Sequence, residues 1–229
     1  MYLKSLLVLL ILFPFIILAK DVSFEYQGIP VKHIGKDGKV KTYIVKRDIP
    51  PECKKVPITN DMLWTGNYAN PKVPQNCVSS YLHTSGKLLP ISINEDVRTV
   101  GELEVLAFMK QMQNRDDMML VDARKEDWYD YRTIPGSVNI PFNYIKNHEA
   151  HEFEYEDYLK SMGVEIDRHA RFDFRGAKKL LVFCNGPWCS QSIAFINALI
   201  EAGYDPEKIK WYRGGMQTWL QAGMTSTRP

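Results

Sequence analysis

Apolar and polar positions alternate with two different periods along this chain, and the change from one to the other marks its organisation. Val105, Phe108, Met109 and Met112 stand at i, i+3, i+4 and i+7, one face of a helix predicted over about 100–113. Thr99 with Glu102 three residues on predicts a capping box at its start. Met118-Met119-Leu120-Val121, ending at Asp122, and Lys179-Leu180-Leu181-Val182-Phe183, ending at Cys184, are short apolar runs. Such runs read as strands of a parallel sheet buried by helices on both faces. Between Gln191 and Ala202 the apolar residues Ile193, Ile196, Ala198, Leu199 and Ile200 predict a helix that stops at Gly203. Ile209-Lys210-Trp211-Tyr212 predicts a further strand, Gly214-Gly215 a turn, and Met216 to Ala222 a closing helix before Gly223. Strands alternating with helices predict an α/β domain over 99–229. Its sheet is open and parallel, and ligands bind outside the strand C-termini.

Residues 20–98 read as an N-terminal extension. Val31 to Ile34 and Val40 to Val45 flank Asp37-Gly38, a pair suited to a tight turn with positive φ, and predict a β-hairpin. Pro50, Pro51, Pro57, Pro71 and Pro74 then interrupt any regular element and predict ordered loop. Residues 1–19 differ again. Lys4 precedes an apolar run from Leu6 to Leu18, broken only by Pro14, and Ala19 is the small residue of a cleavage site. This is the pattern of an export signal. The run is shorter than the roughly 20 residues that span a bilayer, so no stable membrane insertion is expected after cleavage. The mature protein is expected to be periplasmic or otherwise exported.

Composition narrows the classes. The 229 residues are 45% apolar and 24% charged, which argues against disorder and collagen-like repeats. A formal net charge of +2, with no Lys/Arg block, argues against nucleic acid as a partner. Export lets thiols pair. The four cysteines allow three pairings, among which the sequence does not choose. Cys53 and Cys77 lie in the Pro-rich stretch, where a crosslink would add ~3 kcal/mol, and we read them as a structural disulfide.

Cys184 and Cys189 lie in a segment that carries chemistry. Cys184 ends a strand, and Asn185-Gly186-Pro187-Trp188-Cys189-Ser190 leads into a helix. A sulfur there faces the positive end of a helix dipole and free backbone N–H groups, both of which favour the thiolate. The same N–H groups would cradle an anion or a persulfide. The alternative is that Cys184 is a small buried hydrophobe.

Four motifs in order resemble the rhodanese family of sulfurtransferases over about residues 99–226. Val121-Asp122-Ala123-Arg124 is similar to the family's strand-end Asp-x-Arg. Thr133-Ile134-Pro135-Gly136-Ser137-Val138-Asn139-Ile140-Pro141 resembles its His-Ile-Pro-Gly-Ala-x-Asn-Ile-Pro, with Thr133 in the place of His. Leu181 to Cys184 resembles the strand delivering the catalytic Cys, and Tyr212 to Trp219 contains its Gly-Gly-x-x-x-Trp. The resemblance implies a rhodanese-like fold and no organic cofactor or metal. It also implies that Cys184 takes sulfane sulfur from a small sulfur-containing anion or persulfide donor and passes it to a thiol acceptor or reductant. The loop Asn185, Gly186, Trp188 and Ser190 would bind the donor, and Asp122 and Arg124 would anchor the strand end.

The loop departs from the family pattern. Gly186 comes one place early, Pro187 has no N–H, and Cys189 replaces a basic or hydroxyl residue. The missing Arg removes a bidentate partner for a sulfonate group, a charge that Arg213 would have to bring. Cys189 adds the possibility of resolving a persulfide or mixed disulfide on Cys184 by thiol exchange; the other reading is that it packs inertly. The spacing of the two cysteines does not suit zinc. His148 and His151 sit among Glu149, Glu152, Glu154, Glu156 and Asp157, a solvated acidic face. Three readings follow: a sulfurtransferase through a Cys184 persulfide, a thiol-disulfide oxidoreductase using Cys184 and Cys189, or a non-catalytic binding module.

Overall fold

The computed structural model describes residues 28–46, 89–169 and 171–229. The predicted export signal, the Pro-rich stretch and Cys53 and Cys77 lie outside the described residues. No helix among the described residues is long and apolar enough to cross a membrane.

Five strands form the parallel sheet: β3 (Arg98–Val100), β4 (Met118–Asp122), β5 (Val138–Asn139), β8 (Lys179–Phe183) and β9 (Ile209–Tyr212), in the spatial order β3-β9-β8-β4-β5. Every pairing in this sheet is parallel. Two apolar runs therefore become its centre, with Met118 to Asp122 of β4 in register with Lys179 to Phe183 of β8. Successive side chains of β8 divide between the faces, as the pleat requires. Leu180 and Val182 join one core with Ile140, Leu159, Phe195, Ile196, Leu199 and Trp211. Leu181 and Phe183 join the other with Val105, Phe108, Met109, Tyr212, Met216 and Trp219. A strand buried on both faces explains the uninterrupted run in the sequence.

Helices α1 (Glu102–Met112) and α6 (Gly215–Gln221) cover one face. The other is covered by α3 (Phe142–Lys146), α4 (Glu152–Ser161) and α5 (Gln191–Ala202). The helix predicted from Thr99 starts two residues later than the capping box anticipated. Thr99 pairs within β3 and its Oγ1 donates to the Ile91 carbonyl, while Gly101 caps α1 and the Glu104 carboxylate accepts the Gly101 N–H at 3.0 Å. Strand pairing with β9 takes Thr99 out of the cap. The stretch between the first two apolar runs contains elements whose periodicity is too short to read. These are α2 (Glu126–Tyr131), β5, α3, α4 and the antiparallel pair β6 (Glu165–Ile166) and β7 (Phe172–Asp173).

The hairpin forms as predicted, β1 (Ile29–Ile34) against β2 (Val40–Val45), with Gly38 in the turn at φ 73°. It packs on the domain: Ile29, Val31 and Val45 enter the core around α1. Thr225 N–H donates to the Lys46 carbonyl at 2.8 Å, and Thr133 and Thr227 bridge each other's backbones, which ties hairpin, chain end and the Thr133 segment together.

Candidate active site

The connections from β4 and β8 run to opposite sides, β4 to β5 and β8 to β9, so the sheet reverses its order between these two neighbours. In open α/β sheets such a reversal is the place where ligands bind, and both motif clusters follow the strands that flank it. Asp122 ends β4 and Cys184 follows β8.

Asp122 and Arg124 form a buried ion pair, 0% and 3% exposed. Arg124 Nε donates to Oδ1 at 2.9 Å and Nη2 to Oδ2 at 2.6 Å, a two-pronged fork that holds the guanidinium plane. Thr133 Oγ1 donates to the same carboxylate at 2.7 Å, which gives the residue in the usual His position a structural partner. The free edge of the guanidinium then crosses to the loop, where Arg124 Nη1 donates to Asn185 Oδ1 at 3.2 Å.

The Cys184–Cys189 loop is held from a second side by the first turn of α6. Met216 N–H donates to the Cys184 carbonyl at 3.0 Å and Gln217 N–H to the Asn185 carbonyl at 2.8 Å. This close approach requires Gly215, at φ 56°, because a Cβ there would stand 2.3 Å from the Cys184 carbonyl oxygen. Gly186 has a similar role, its missing Cβ leaving room for Gln217 and the Trp188 indole. Trp188 Nε1 donates to Gln217 Oε1. Cys189 N–H closes the loop onto the Gly186 carbonyl at 3.0 Å. Ser190 is exposed and sits at the N-cap of α5.

Both cysteines are free and buried, Cys184 at 2% and Cys189 at 5% exposure. Cys184 Sγ lies 3.0 Å from the Cys189 carbonyl oxygen and 3.0 Å from Ser192 Oγ. Their ionisation is opposite to the sequence expectation of a Cys184 thiolate. Burial pushes the Cys184 thiol up, and the neighbouring Cys189 adds to the shift. Cys189 is drawn down to about 6 by the hydrogen bond from Cys184, by the backbone N–H groups of Asn185 and Gln191, and by the Arg124 charge. Backbone N–H groups act on both sulfurs, that of Ser192 on Cys184 and those of Asn185 and Gln191 on Cys189, but at Cys184 the cost of burial outweighs them. Cys189 is thus the more acidic of the two thiols.

Other residues singled out in the sequence take different positions. Arg213 Nη2 donates to the Leu89 carbonyl at 2.7 Å and Nε to the Pro90 carbonyl at 2.9 Å. Leu89 N–H in turn donates to the Pro187 carbonyl at 2.8 Å, so Arg213 straps residues 89–90 over the loop. His148 and His151 stack edge-on or tilted against Tyr155 and Tyr144. Among the described residues no group of three or more His, Cys, Asp or Glu is arranged to hold a metal. Sequence reasoning passed over Ser192, Trp211, Gln217 and Leu89. Ser192 left a signal, because it shares the buried α5 face with Phe195, Ile196 and Leu199, and a hydroxyl on an apolar stripe requires a partner.

Among solved structures, the chain is similar to a protein from Bacillus halodurans at 19% identity and a TM-score of 0.40, with 57% of this chain and 76% of that chain covered. It is similar to a rhodanese-related protein from Thermoplasma volcanium at 19% identity, covering 58% and 99%, with a TM-score of 0.38. It is likewise similar to a human single-domain sulfurtransferase at 19% identity, covering 55% and 96%, with a TM-score of 0.36. No curated protein matches the chain. The family model for the Rhodanese-like domain matches residues 106–222, a stretch that takes in β4, β8, β9 and the whole Cys184–Cys189 loop, and the chain belongs to that family.

Proposed function

We propose that this protein is an exported sulfurtransferase that carries sulfane sulfur as a persulfide on Cys184, with Cys189 as its proton acceptor and resolving thiol. The observation that carries the reading is the pair of buried cysteines in the loop after β8, with Cys184 Sγ 3.0 Å from the Cys189 carbonyl oxygen and 3.0 Å from Ser192 Oγ. Membership of the Rhodanese-like domain family supports it. The leader-like run from Leu6 to Leu18 supports export.

In this scheme the Cys184 sulfur attacks the outer sulfur of a thiosulfate or polysulfide donor as its proton passes to Cys189. The donor's S–S bond breaks, and sulfite or the shortened polysulfide leaves with the electron pair. The persulfide then has two exits. An acceptor thiolate takes the outer sulfur and Cys184 leaves as thiolate. Alternatively Cys189, once deprotonated, attacks the inner sulfur, forms the Cys184–Cys189 disulfide and expels hydrosulfide; a dithiol then reduces the disulfide. The same pair supports a second reading, thiol–disulfide exchange with no sulfur carried.

Intact mass of the reduced mature protein after thiosulfate and, separately, polysulfide tests the proposal. A gain of one sulfur atom, kept in Cys189→Ser and lost in Cys184→Ser, is the expected result. No gain with either donor, while a dithiol cycles a Cys184–Cys189 disulfide, would establish the second reading instead. No gain and no cycling would leave a binding module.

A further inference from the structure

Ser192 stands at the second position of α5, directly beneath the loop. Its Oγ lies 3.0 Å from Cys184 Sγ and 2.9 Å from Trp211 Nε1. Ser192 and Trp211 are both 0% exposed. Trp211 comes from β9, where it pairs with Val182 of β8, two residues before Cys184. Three elements, β8, β9 and α5, therefore converge on one hydroxyl.

The donor inventory sets the direction of these bonds. An indole N–H only donates, so Trp211 occupies a lone pair of the Ser192 hydroxyl. The hydroxyl has one proton, and Cys184 Sγ is its other neighbour. The Cys184 thiol proton faces Cys189, which leaves sulfur lone pairs to accept from Ser192. The chain of donation runs from Trp211 to Ser192 to Cys184.

Such a donor answers a difficulty in the transfer step. When the proton passes from Cys184 to Cys189, negative charge develops on a sulfur that faces the Cys189 carbonyl oxygen at 3.0 Å, in a buried site. Pro187, lacking an N–H, cannot help. We infer that Ser192, oriented by Trp211, donates the hydrogen bond that stabilises the developing thiolate of Cys184, with Ser192 a catalytic residue and Trp211 a positioning residue. This role rests on Cys184 being the sulfur-bearing nucleophile. The titratable group facing Cys184 is Cys189; the Arg124 charge reaches the loop through Asn185.

The test is the pH profile of Cys184 alkylation by iodoacetamide, read peptide by peptide by mass spectrometry in a Cys189→Ser background. Adding Ser192→Ala is expected to move the midpoint upward and slow alkylation at pH 7 by about tenfold, the value of one hydrogen bond to a charged group. Ser192→Thr, which keeps the hydroxyl, is expected to restore the midpoint, and Trp211→Phe to slow the reaction by a smaller factor. A thermal midpoint for each variant separates this from loss of fold. An unchanged or lowered alkylation midpoint in folded Ser192→Ala would overturn the inference. Should Ser192→Ala not fold, the Trp211→Phe profile decides, and an unchanged profile overturns it. No sulfur donor enters the measurement, so failure of the persulfide reading would leave this result distinguishable.

Discussion

Arg124 at the end of β4 reaches Asn185 at the end of β8, Nη1 to Oδ1 at 3.2 Å, while its other edge stays locked on Asp122. One residue thereby couples the ends of the two neighbouring strands and holds the Cys184–Cys189 loop to the sheet. The Asp122 carboxylate is fully buried, and its partners are Arg124 and Thr133.

Removing Arg124 leaves that carboxylate buried and without its counter-ion. Arg124→Ala is expected to destabilise the protein by about 3–5 kcal/mol, as for other broken buried pairs. Urea unfolding at pH 7 measures it. A loss below about 1 kcal/mol would show that water reaches Asp122 and replaces the guanidinium.

The opposite shifts of the two thiols make a statement about pH. Cys189 titrates at about 6 when folded against an ordinary value of 9.0, so it binds fewer protons folded than unfolded between these values. Its contribution to stability is complete above pH 9 and is lost as pH falls toward 6. The raised Cys184 acts in the opposite sense above pH 9. At pH 7 iodoacetamide is expected to label Cys189 before Cys184. Cys184→Ala, which removes the largest cause of the Cys189 shift, should move the Cys189 midpoint upward. Preferential labelling of Cys184 at pH 7 would reverse the assignment of the proton.

Gly215 tests how tightly α6 grips the loop. A Cβ there meets the Cys184 carbonyl oxygen at 2.3 Å and the Gly186 nitrogen at 2.7 Å, on a backbone at φ 56°. Gly215→Ala is expected to cost about 2 kcal/mol or more in denaturant unfolding, since strain and displacement of the loop act together. It should also alter the rate at which the two cysteines are alkylated. Wild-type stability and rates would mean that the loop shifts without consequence.

His33 carries a pH response of its own. Its Nδ1 accepts the Gly136 N–H at 3.2 Å, which places the imidazole proton on the buried Nε2. Burial, aided by Lys41, holds its pKa below the ordinary 6.5. The unfolded chain therefore gains a proton first as pH falls below 6.5, and stability is lost in that window. Unfolding at pH 6.5 and pH 5 should show a loss in the wild type that is smaller in His33→Gln. Equal losses would place the response elsewhere.

Length, period and turn chemistry determined much of this protein by themselves. A five-residue apolar run such as Lys179 to Phe183 has one economical solution, a strand covered on both faces, and Asp37-Gly38 has one natural use, a hairpin turn. The places of Asp122 and Cys184 were legible for the same reason: each stands where an apolar run stops. Short elements such as α2, α3 and β5 were not, because one or two turns of helix carry too little periodicity. Thr99 was misread as a cap since its pairing with Trp211 is a contact between distant parts of the chain. What only the tertiary structure decided is which of the two cysteines is the more acidic and what the partners of each are. Those depend on depth of burial and on donors from other elements, Ser192, Trp211, Arg124 and the first turn of α6. No local sequence pattern specifies depth, because burial is the result of how every element packs at once.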